Sequence, residues 1–182
     1  MVIVVVIAAI LVALAVPNMS EFIKNNARAT ALNTLVATIT YARSHAVSNN
    51  KPVTVCQSSS GTGCTNAVNF HQGLIVFVDE DGDGVLDGAD GDRILRAVSP
   101  DVAADVTLIG ASDLGTVTQI RFRGNGAASG VNAGTHIRYC DERGDSHARA
   151  VEVIPSGQSR LSEDSDGDGV HDVAGTDLDC TA

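Results

Sequence analysis

The sequence lacks the motifs by which many enzyme families are identified. It contains neither the H-E-x-x-H pattern that binds catalytic zinc nor the G-x-S-x-G turn that presents a nucleophilic serine, and its five histidines are scattered along the chain. The glycine-rich segment 123–135 lacks the Lys-Ser/Thr pair of a phosphate-binding loop, and we expect it to be a mobile surface loop. These absences argue against an enzyme.

Positive charge is also scarce. The 182 residues include 12 Lys and Arg against 22 Asp and Glu, which gives a formal net charge of -10. Spread evenly, that charge would repel nucleic acid and anionic membranes. It is uneven, because the stretch 121–160 holds six arginines and four acidic residues and is mildly basic. The length suits one globular domain with an appendage.

The cysteines lack the C-x-x-C spacing of zinc ribbons and thioredoxin-like sites. Disulfides are the simpler interpretation of this even set, and four cysteines allow three pairings. We favour Cys56 with Cys64, because "CQSSSGTGC" is a short flexible loop, which leaves Cys140 to clamp Cys180 and the C-terminal tail. Four buried thiols remain the alternative. Disulfides would place the head in the periplasm or outside the cell.

The N-terminus has no charged residue before Glu21, and its first 16 residues are all apolar. As a helix these 16 residues would span about 24 Å, a little less than a bilayer core of roughly 30 Å. The stretch is either a membrane segment whose beginning is missing or the core of a signal peptide, for which "ALA" at 13–15 could be a cleavage site.

The residues after Pro17 predict a second, amphipathic half of the same helix. Its apolar residues recur at spacings of three and four: Phe22, Leu32, Leu35, Val36, Ile39, Ala42 and Ala46. A signal peptide would be cut away from such a helix, whereas a membrane anchor continuous with a head domain needs both halves, so we favour the anchor. Pro17 is expected to kink the junction.

Beyond Pro52 the sequence changes to short β-rich runs separated by turn residues. The runs are "PVTVC", "GLIVFVD", "RILRAV", "DVTLIG", "QIRFRG", "THIRYCD" and "ARAVEVIP". We predict an α+β fold in which a mostly antiparallel sheet packs on the C-terminal half of the helix. "DERG" at 141–144 is interpreted as a hairpin tip. The predicted organisation is a membrane or fibre-core half-helix at 1–19, an amphipathic half at 20–50, a β-rich head at 51–161 and an acidic tail at 162–182.

Two Asp/Gly-rich segments match the spacing of calcium-binding EF-hand loops. In the first, positions 1, 3, 5, 7, 9 and 12 are filled by Asp79, Asp81, Asp83, the carbonyl of Val85, Asp87 and Asp90, with Gly84 at position 6. In the second, Asp164, Asp166, Asp168, Val170 and Asp172 fill positions 1 to 9, and Asp177 must close the site because Gly175 stands at position 12. Neither is flanked by two helices, so we expect isolated loops stabilised by Ca²⁺, with solvated turns as the alternative.

Several segments together resemble the GspH/FimT family of type IV minor pilins and type II secretion pseudopilins. They are "ALAVPN", "NNARATALNTLVATITYARSHAVSNNKPVTVC", "GLIVFVDEDGDGVLD", "DRILR", "YCDERG" and "ARAVEVIPSGQSRLS", and the resemblance covers residues 1–161. It implies a pilin-like head on a long helix, an inner-membrane anchor with a periplasmic head before assembly, and packing against other pilins in a fibre that such proteins prime or cap. Family precursors begin with a short basic leader and a segment such as "FTLIEL", which we expect upstream of Met1.

The same resemblance suggests DNA binding as a second function, because some FimT relatives bind DNA through a Gly-Arg-x-Arg segment. Here the corresponding residues are "GQSR", with Gln158 in place of the first arginine. Loss of one phosphate contact predicts weak binding. The candidate DNA-binding residues are Arg138, Arg143, Arg149 and Arg160, for which salt bridges to Asp141, Glu142 and Glu152 are the alternative role. A secreted calcium-binding protein with a cleaved signal peptide is the third interpretation.

Overall fold

A computed structural model describes residues 2–132 and 134–181, with the backbone alone for residues 2 and 4–18. One helix, α1, runs continuously from Val2 to Asn49. Most side chains of the predicted membrane half at 1–19 lie outside the described part of the chain. The bend expected at Pro17 lies outside it as well. Within that part, no helix combines the length and apolar character needed to cross a membrane.

Among the described residues, twelve strands follow the helix. Their bounds are Val53–Gln57 (β1), Leu74–Val78 (β2), Arg93–Val98 (β3), Thr107–Ser112 (β4), Gly115–Thr116 (β5), Gln119–Phe122 (β6), Ala128–Ser129 (β7), His136–Cys140 (β8), Arg149–Val153 (β9), Ser159–Leu161 (β10), Asp172–Val173 (β11) and Thr176–Asp177 (β12). Short 3₁₀ turns lie at Phe70–Gln72 and Asp145–His147.

The strands form two five-stranded sheets and a two-stranded hairpin. The first sheet has the order β3-β2-β1-β6-β7, the second β10-β9-β8-β4-β5, and β11 pairs with β12. Every strand pair is antiparallel. The seven predicted runs all contain strands, and the α+β class with a long N-terminal helix is confirmed. The expectation of one sheet was too simple, because alternation along a strand identifies its faces but not its partners.

The core lies between the helix and the inner faces of the two sheets. The helix contributes one stripe of buried side chains at spacings of one, three and four residues: Ala31, Leu32, Leu35, Ile39, Ala42 and Ala46. The sheets contribute large side chains such as Phe122 and Tyr139, and Phe70 joins them from the 3₁₀ turn that precedes β2. The predicted amphipathic stripe is therefore correct over the head, whereas Phe22 lies nearer the N-terminus and is 64% exposed.

Each sheet also buries part of its outer face. In the first sheet, Cys56, Ile75 and Phe77 pack with Cys64 from the β1–β2 loop and with Leu86 from the β2–β3 loop. In the second sheet the outer face packs against the C-terminal tail, in a cluster formed by Cys140, Ala148, Ala150, Val173, Leu178 and Cys180. Both faces of β1 and β2 are consequently buried, and β2 is apolar throughout.

The segment 123–135 is more ordered in its contacts than the mobile loop expected from its composition. Ala128–Ser129 forms β7 and pairs with β6. The amide of Ala128 also donates to the carbonyl of Pro155. The segment thus closes one edge of the first sheet.

We predict that Leu35→Ala will lower the free energy of unfolding by about 2–5 kcal/mol, because Leu35 is fully buried where the helix meets the sheets. Chemical denaturation followed by circular dichroism measures the change. The exposed helix residue Asn33 supplies the control, since Asn33→Ala should change stability by no more than about 0.5 kcal/mol. Similar losses in both variants would contradict the packing described here.

Candidate functional site in the acidic loops and the exposed helix

The first acidic loop begins at a buried carboxylate. Asp79 directly follows β2 and has no exposed surface. Its Oδ2 accepts hydrogen bonds from Thr54 Oγ1 at 2.6 Å and from the Gly84 amide at 3.1 Å. Its Oδ1 is buried and has no hydrogen-bond partner among the described residues. A buried polar atom left unpaired costs about 1–3 kcal/mol, more when it carries charge, so this oxygen requires an explanation.

The turns of the loop bring two further aspartates to Asp79. Asp81 Oδ1 accepts from the Asp83 amide at 3.1 Å, and Asp83 Oδ1 accepts from the Val85 amide at 2.7 Å. One carboxylate oxygen from each of Asp79, Asp81 and Asp83 lies within 4.8 Å of the others. Ligand oxygens on opposite sides of a calcium ion are up to about 5 Å apart, so this spacing suits a single ion.

The remaining predicted ligands lie beside that group. Asp87 is half-buried, whereas Asp90 is exposed and donates its amide to Asp87 Oδ1 at 3.2 Å. The negative charges of Asp87 and then Asp81 raise the pKa of Asp90 above its ordinary value. The group of three oxygens described above contains neither residue, and the side chain of Val85 is exposed.

Asp92, which the EF-hand alignment omits, closes the loop. Its Oδ1 accepts from the Glu80 amide at 2.9 Å, and its Oδ2 accepts from the Asp87 amide at 3.2 Å. One carboxylate thus holds both ends of the segment together. Sequence reasoning missed this role because the alignment stops at position 12; the only signal was one more aspartate before β3.

Arg121 and Gln119, both on β6, contact the backbone of the first acidic loop. The Arg121 guanidinium donates to the carbonyl oxygens of Gly82 and Asp83, at 3.2 Å each. Gly84 has a φ of +84°, and a Cβ placed on it would lie 2.6 Å from Gln119 Nε2. The positive φ of Gly84 therefore favours glycine at position 6, and a larger residue there would also force the Gln119 side chain to move.

The second acidic loop repeats the same turns. Asp164 Oδ1 accepts from the Gly167 amide at 2.7 Å and its Oδ2 from the Gly169 amide at 3.0 Å. Asp166 and Asp168 accept from the amides two residues ahead of each. Two overlapping groups have carboxylate oxygens within 4.8 Å of one another: Asp164, Asp166 and Asp172; and Asp166, Asp168 and Asp177.

Asp172 and Asp177 face each other in the β11–β12 hairpin. Asp172 is buried and accepts from the amide, at 2.8 Å, and the hydroxyl of Ser165, and these bonds lower its pKa. A hydrogen bond with Asp172, followed by the charge of Asp168, raises the pKa of Asp177. The structure therefore places Asp177 beside Asp166 and Asp168, whereas the side chain of Val170 is half-buried.

Both predicted disulfides are present, joining Cys56 to Cys64 and Cys140 to Cys180. Each lies on the outer face of one sheet, within a small apolar cluster. The Cys180 amide donates to Asp145 Oδ1 at 2.7 Å, which fixes the tail beside the turn that precedes β9. The tail is thereby held against the head although it is rich in charge.

A polar contact joins the head to the lower helix. Arg143, in the predicted "DERG" turn, donates to Asp141 Oδ2 at 2.6 Å and to Glu21 Oε2 at 2.8 Å. Burial alone would raise the pKa of Asp141, but the hydrogen bonds from Arg143 hold it below its ordinary value. Lys24 pairs with Glu142, and Arg28 donates to the His147 carbonyl at 2.9 Å. The segment lies in the loop of the β8–β9 hairpin, as predicted, and it also contacts the helix.

The opposite face of the same helical stretch is apolar and exposed. Met19, Phe22 and Ile23, spaced by three and four residues, are 61%, 64% and 60% exposed. Residues 21–28 use their other face for the polar contact with the head. The head therefore leaves this apolar patch uncovered.

The other candidate DNA-binding arginines are held within the second sheet. Arg160 donates through Nε to Glu152 at 2.5 Å, and Glu152 is almost fully buried. Arg149 donates to the carbonyls of Ser146 and Ala148. Arg138 lies on β8 and is buried. Only the Arg160 side chain is mostly exposed, at 63%, and Gln158 beside it is uncharged.

Comparisons with known proteins agree with this architecture. The model of the GspH family, described as type II transport protein GspH, matches residues 31–157. Two crystal structures of the type IV minor pilin FimU from Pseudomonas aeruginosa share the fold. One is 20% identical, with a TM-score of 0.52, over 72% of this chain and 89% of that one. The other is 22% identical, with a TM-score of 0.53, over 77% and 91%. No curated protein gave a significant sequence match.

The two disulfides make a quantitative prediction about the tail. The Cys140–Cys180 bridge spans 40 residues and the Cys56–Cys64 bridge 8. Chain-entropy arguments assign them about 4 and about 2.5 kcal/mol of stability, respectively. We expect Cys140→Ser with Cys180→Ser to give the larger loss on denaturation and to make the tail protease-sensitive.

The matched control is Cys56→Ser with Cys64→Ser, which should leave the tail protected. Peptide mapping without reduction should recover both bridges in the unaltered protein. Free thiols at all four positions, or a tail that stays protected without Cys180, would contradict the assignment.

Proposed function

This chain belongs to the GspH family and is a minor pilin or pseudopilin, and on that premise we propose that its N-terminal helix packs among the helices of other pilins in a fibre. Before assembly the helix anchors the protein in the inner membrane, with the head in the periplasm. The protein then enters a type IV pilus or a type II secretion pseudopilus and initiates or caps it. Its role is structural, not enzymatic.

The observation that carries this proposal is the apolar patch Met19, Phe22 and Ile23. A contiguous exposed apolar surface on a soluble head marks a site that another surface covers. The patch lies on the helix where it extends past the apolar core, and the uncharged sequence of residues 1–20 continues in the same direction. Helices with such surfaces associate side by side through close packing. Equivalent helices of neighbouring pilins fit this description.

The polar contact around Arg143 supports the same proposal. It fixes the helix to the head at residues 21–28, below the buried stripe. The apolar patch is consequently presented in one fixed direction relative to the head. Support for the position at the fibre tip comes from the family resemblance to pilins that prime or cap fibres.

We predict that Phe22→Asp combined with Ile23→Asp will abolish assembly without unfolding the head, because both side chains are already exposed to solvent. A strain lacking the gene would be complemented with each variant, and surface fibres and secreted proteins would be quantified separately. Loss of fibres alone indicates a pilus, and loss of secretion alone a pseudopilus.

The matched control is Leu114→Asp, since Leu114 is 86% exposed in the β4–β5 turn. This variant should restore assembly fully. Thermal melts of all variants should agree. Full assembly by the helix variant, or recovery of the full-length protein as a wholly soluble periplasmic protein, would overturn the proposal. N-terminal sequencing that found cleavage after Ala15 would favour a secreted calcium-binding protein instead.

We predict only weak DNA binding, because Arg143 and Arg160 are engaged with carboxylates and the chain carries a net charge of -10. Titration of duplex DNA at physiological salt should give a dissociation constant no tighter than the non-specific range, about 10⁻⁶ to 10⁻⁴ M. Arg160→Ala should barely change it. Tight binding that Arg160→Ala removes would show instead that DNA uptake is a function of this protein.

A further inference from the structure

We propose that the first acidic loop binds one calcium ion through carboxylate oxygens of Asp79, Asp81 and Asp83. This site is independent of the fibre assembly proposed above. Its main support is the unpartnered Oδ1 of Asp79. The three aspartates occupy alternate positions of one turn, and the fixed geometry of that turn directs one oxygen from each toward the others.

The buried oxygen is what separates this loop from an ordinary acidic turn. Asp79 has no exposed surface, so water cannot solvate Oδ1 from the outside. The other oxygen of the same carboxylate is already satisfied by Thr54 and Gly84, which fixes the orientation of Oδ1. A buried carboxylate oxygen needs a donor or a cation. The neighbouring carboxylates are acceptors when ionised, so a cation shared among them meets the need.

The charges around the three carboxylates also favour a bound cation. Within the described residues, no ion pair involves Asp79, Asp81 or Asp83. The nearby cations are engaged elsewhere, since Lys51 pairs with Glu80 and Arg121 donates to main-chain carbonyls. Three carboxylates held this close repel one another unless a positive charge lies between them.

The chemistry of the ligands selects calcium. All three groups are carboxylates, without a histidine or thiol that would favour zinc or copper. Calcium accepts six to eight oxygens in irregular geometry and can complete its coordination with main-chain carbonyls and water, whereas magnesium demands a near-ideal octahedron. Isolated extracellular sites of this kind bind with dissociation constants on the order of 10⁻⁴ to 10⁻³ M.

Calcium would also organise the outer face of the first sheet. Leu86, seven residues after Asp79 at position 1 of the loop, packs on Ile75 and Phe77. Holding the turn at Asp79–Asp83 keeps Leu86 over these side chains. Removal of the ion would release the turn and expose part of the cluster, so the stability of the head should depend on calcium.

The second loop does not carry the same argument. Both oxygens of Asp164, its first residue, are occupied by the amides of Gly167 and Gly169. Among the described residues of this loop, no buried carboxylate oxygen lacks a partner. The proposal therefore concerns the first loop alone, and the second provides an internal comparison.

The test uses the full-length chain in mild detergent. Calcium chloride is titrated by calorimetry after chelator treatment, and melting is followed by circular dichroism with calcium, magnesium or chelator at equal ionic strength. At calcium concentrations near ten times the dissociation constant, the midpoint should rise by about 3–6 °C. Asp79→Asn and Asp81→Asn should each weaken binding at least tenfold.

Asp81→Asn separates loss of binding from loss of folding. Asp81 is exposed, and its replacement leaves the hydrogen bonds of Asp79 with Thr54 and Gly84 intact. Asp101→Asn, at an exposed site outside both loops, is the matched control and should behave as the unaltered protein. Asp166→Asn, which alters both carboxylate groups of the second loop, should leave first-loop binding unchanged. No heat and no thermal shift, an equal response to magnesium, or a loss confined to Asp166→Asn would each overturn the proposal.

Discussion

The packing of one stripe of the helix against two sheets at once is the constraint on which the rest of the structure depends. Leu35 and Ile39 are fully buried, and the inner faces of both sheets converge on this stripe. The helix and the inner faces of both sheets form one core, whereas the outer face of each sheet packs in a small cluster of its own. The helix that we propose packs against other pilins therefore also holds the head of this protein together.

The outer faces of the two sheets are covered in the same way. The outer face of each sheet has a small apolar cluster that includes a disulfide. Leu86 of the first acidic loop covers the cluster of the first sheet, and the tail that carries the second acidic loop covers that of the second sheet. Such clusters are too small to be stable through burial alone, and covalent bridges replace the missing apolar contacts. The two loops differ in that, among their described carboxylates, Asp79 alone has a buried oxygen without a protein partner.

Local periodicity predicted the elements, while contacts between distant residues decided their arrangement. Spacings of three and four gave the buried stripe, and the short apolar runs gave the seven principal strands. The division into two sheets depends on which strands pair, and alternation does not encode that. The contact of Arg143 with Glu21 joins residues 122 positions apart, and the role of Asp92 depends on the path of the loop, so neither was visible in a pattern of adjacent residues.

The two bridges differ in how much of the fold must exist before they can close. The Cys56 and Cys64 thiols are 8 residues apart in one loop, so they can meet before either sheet has formed. The Cys140 and Cys180 thiols are 40 residues apart, and they meet only after the tail has folded back onto the outer face of the second sheet. Until then the apolar cluster on that face lacks its cover. Closure of the Cys140–Cys180 bond therefore reports that the tail has docked, and a molecule without it would expose both the cluster and the tail to proteases.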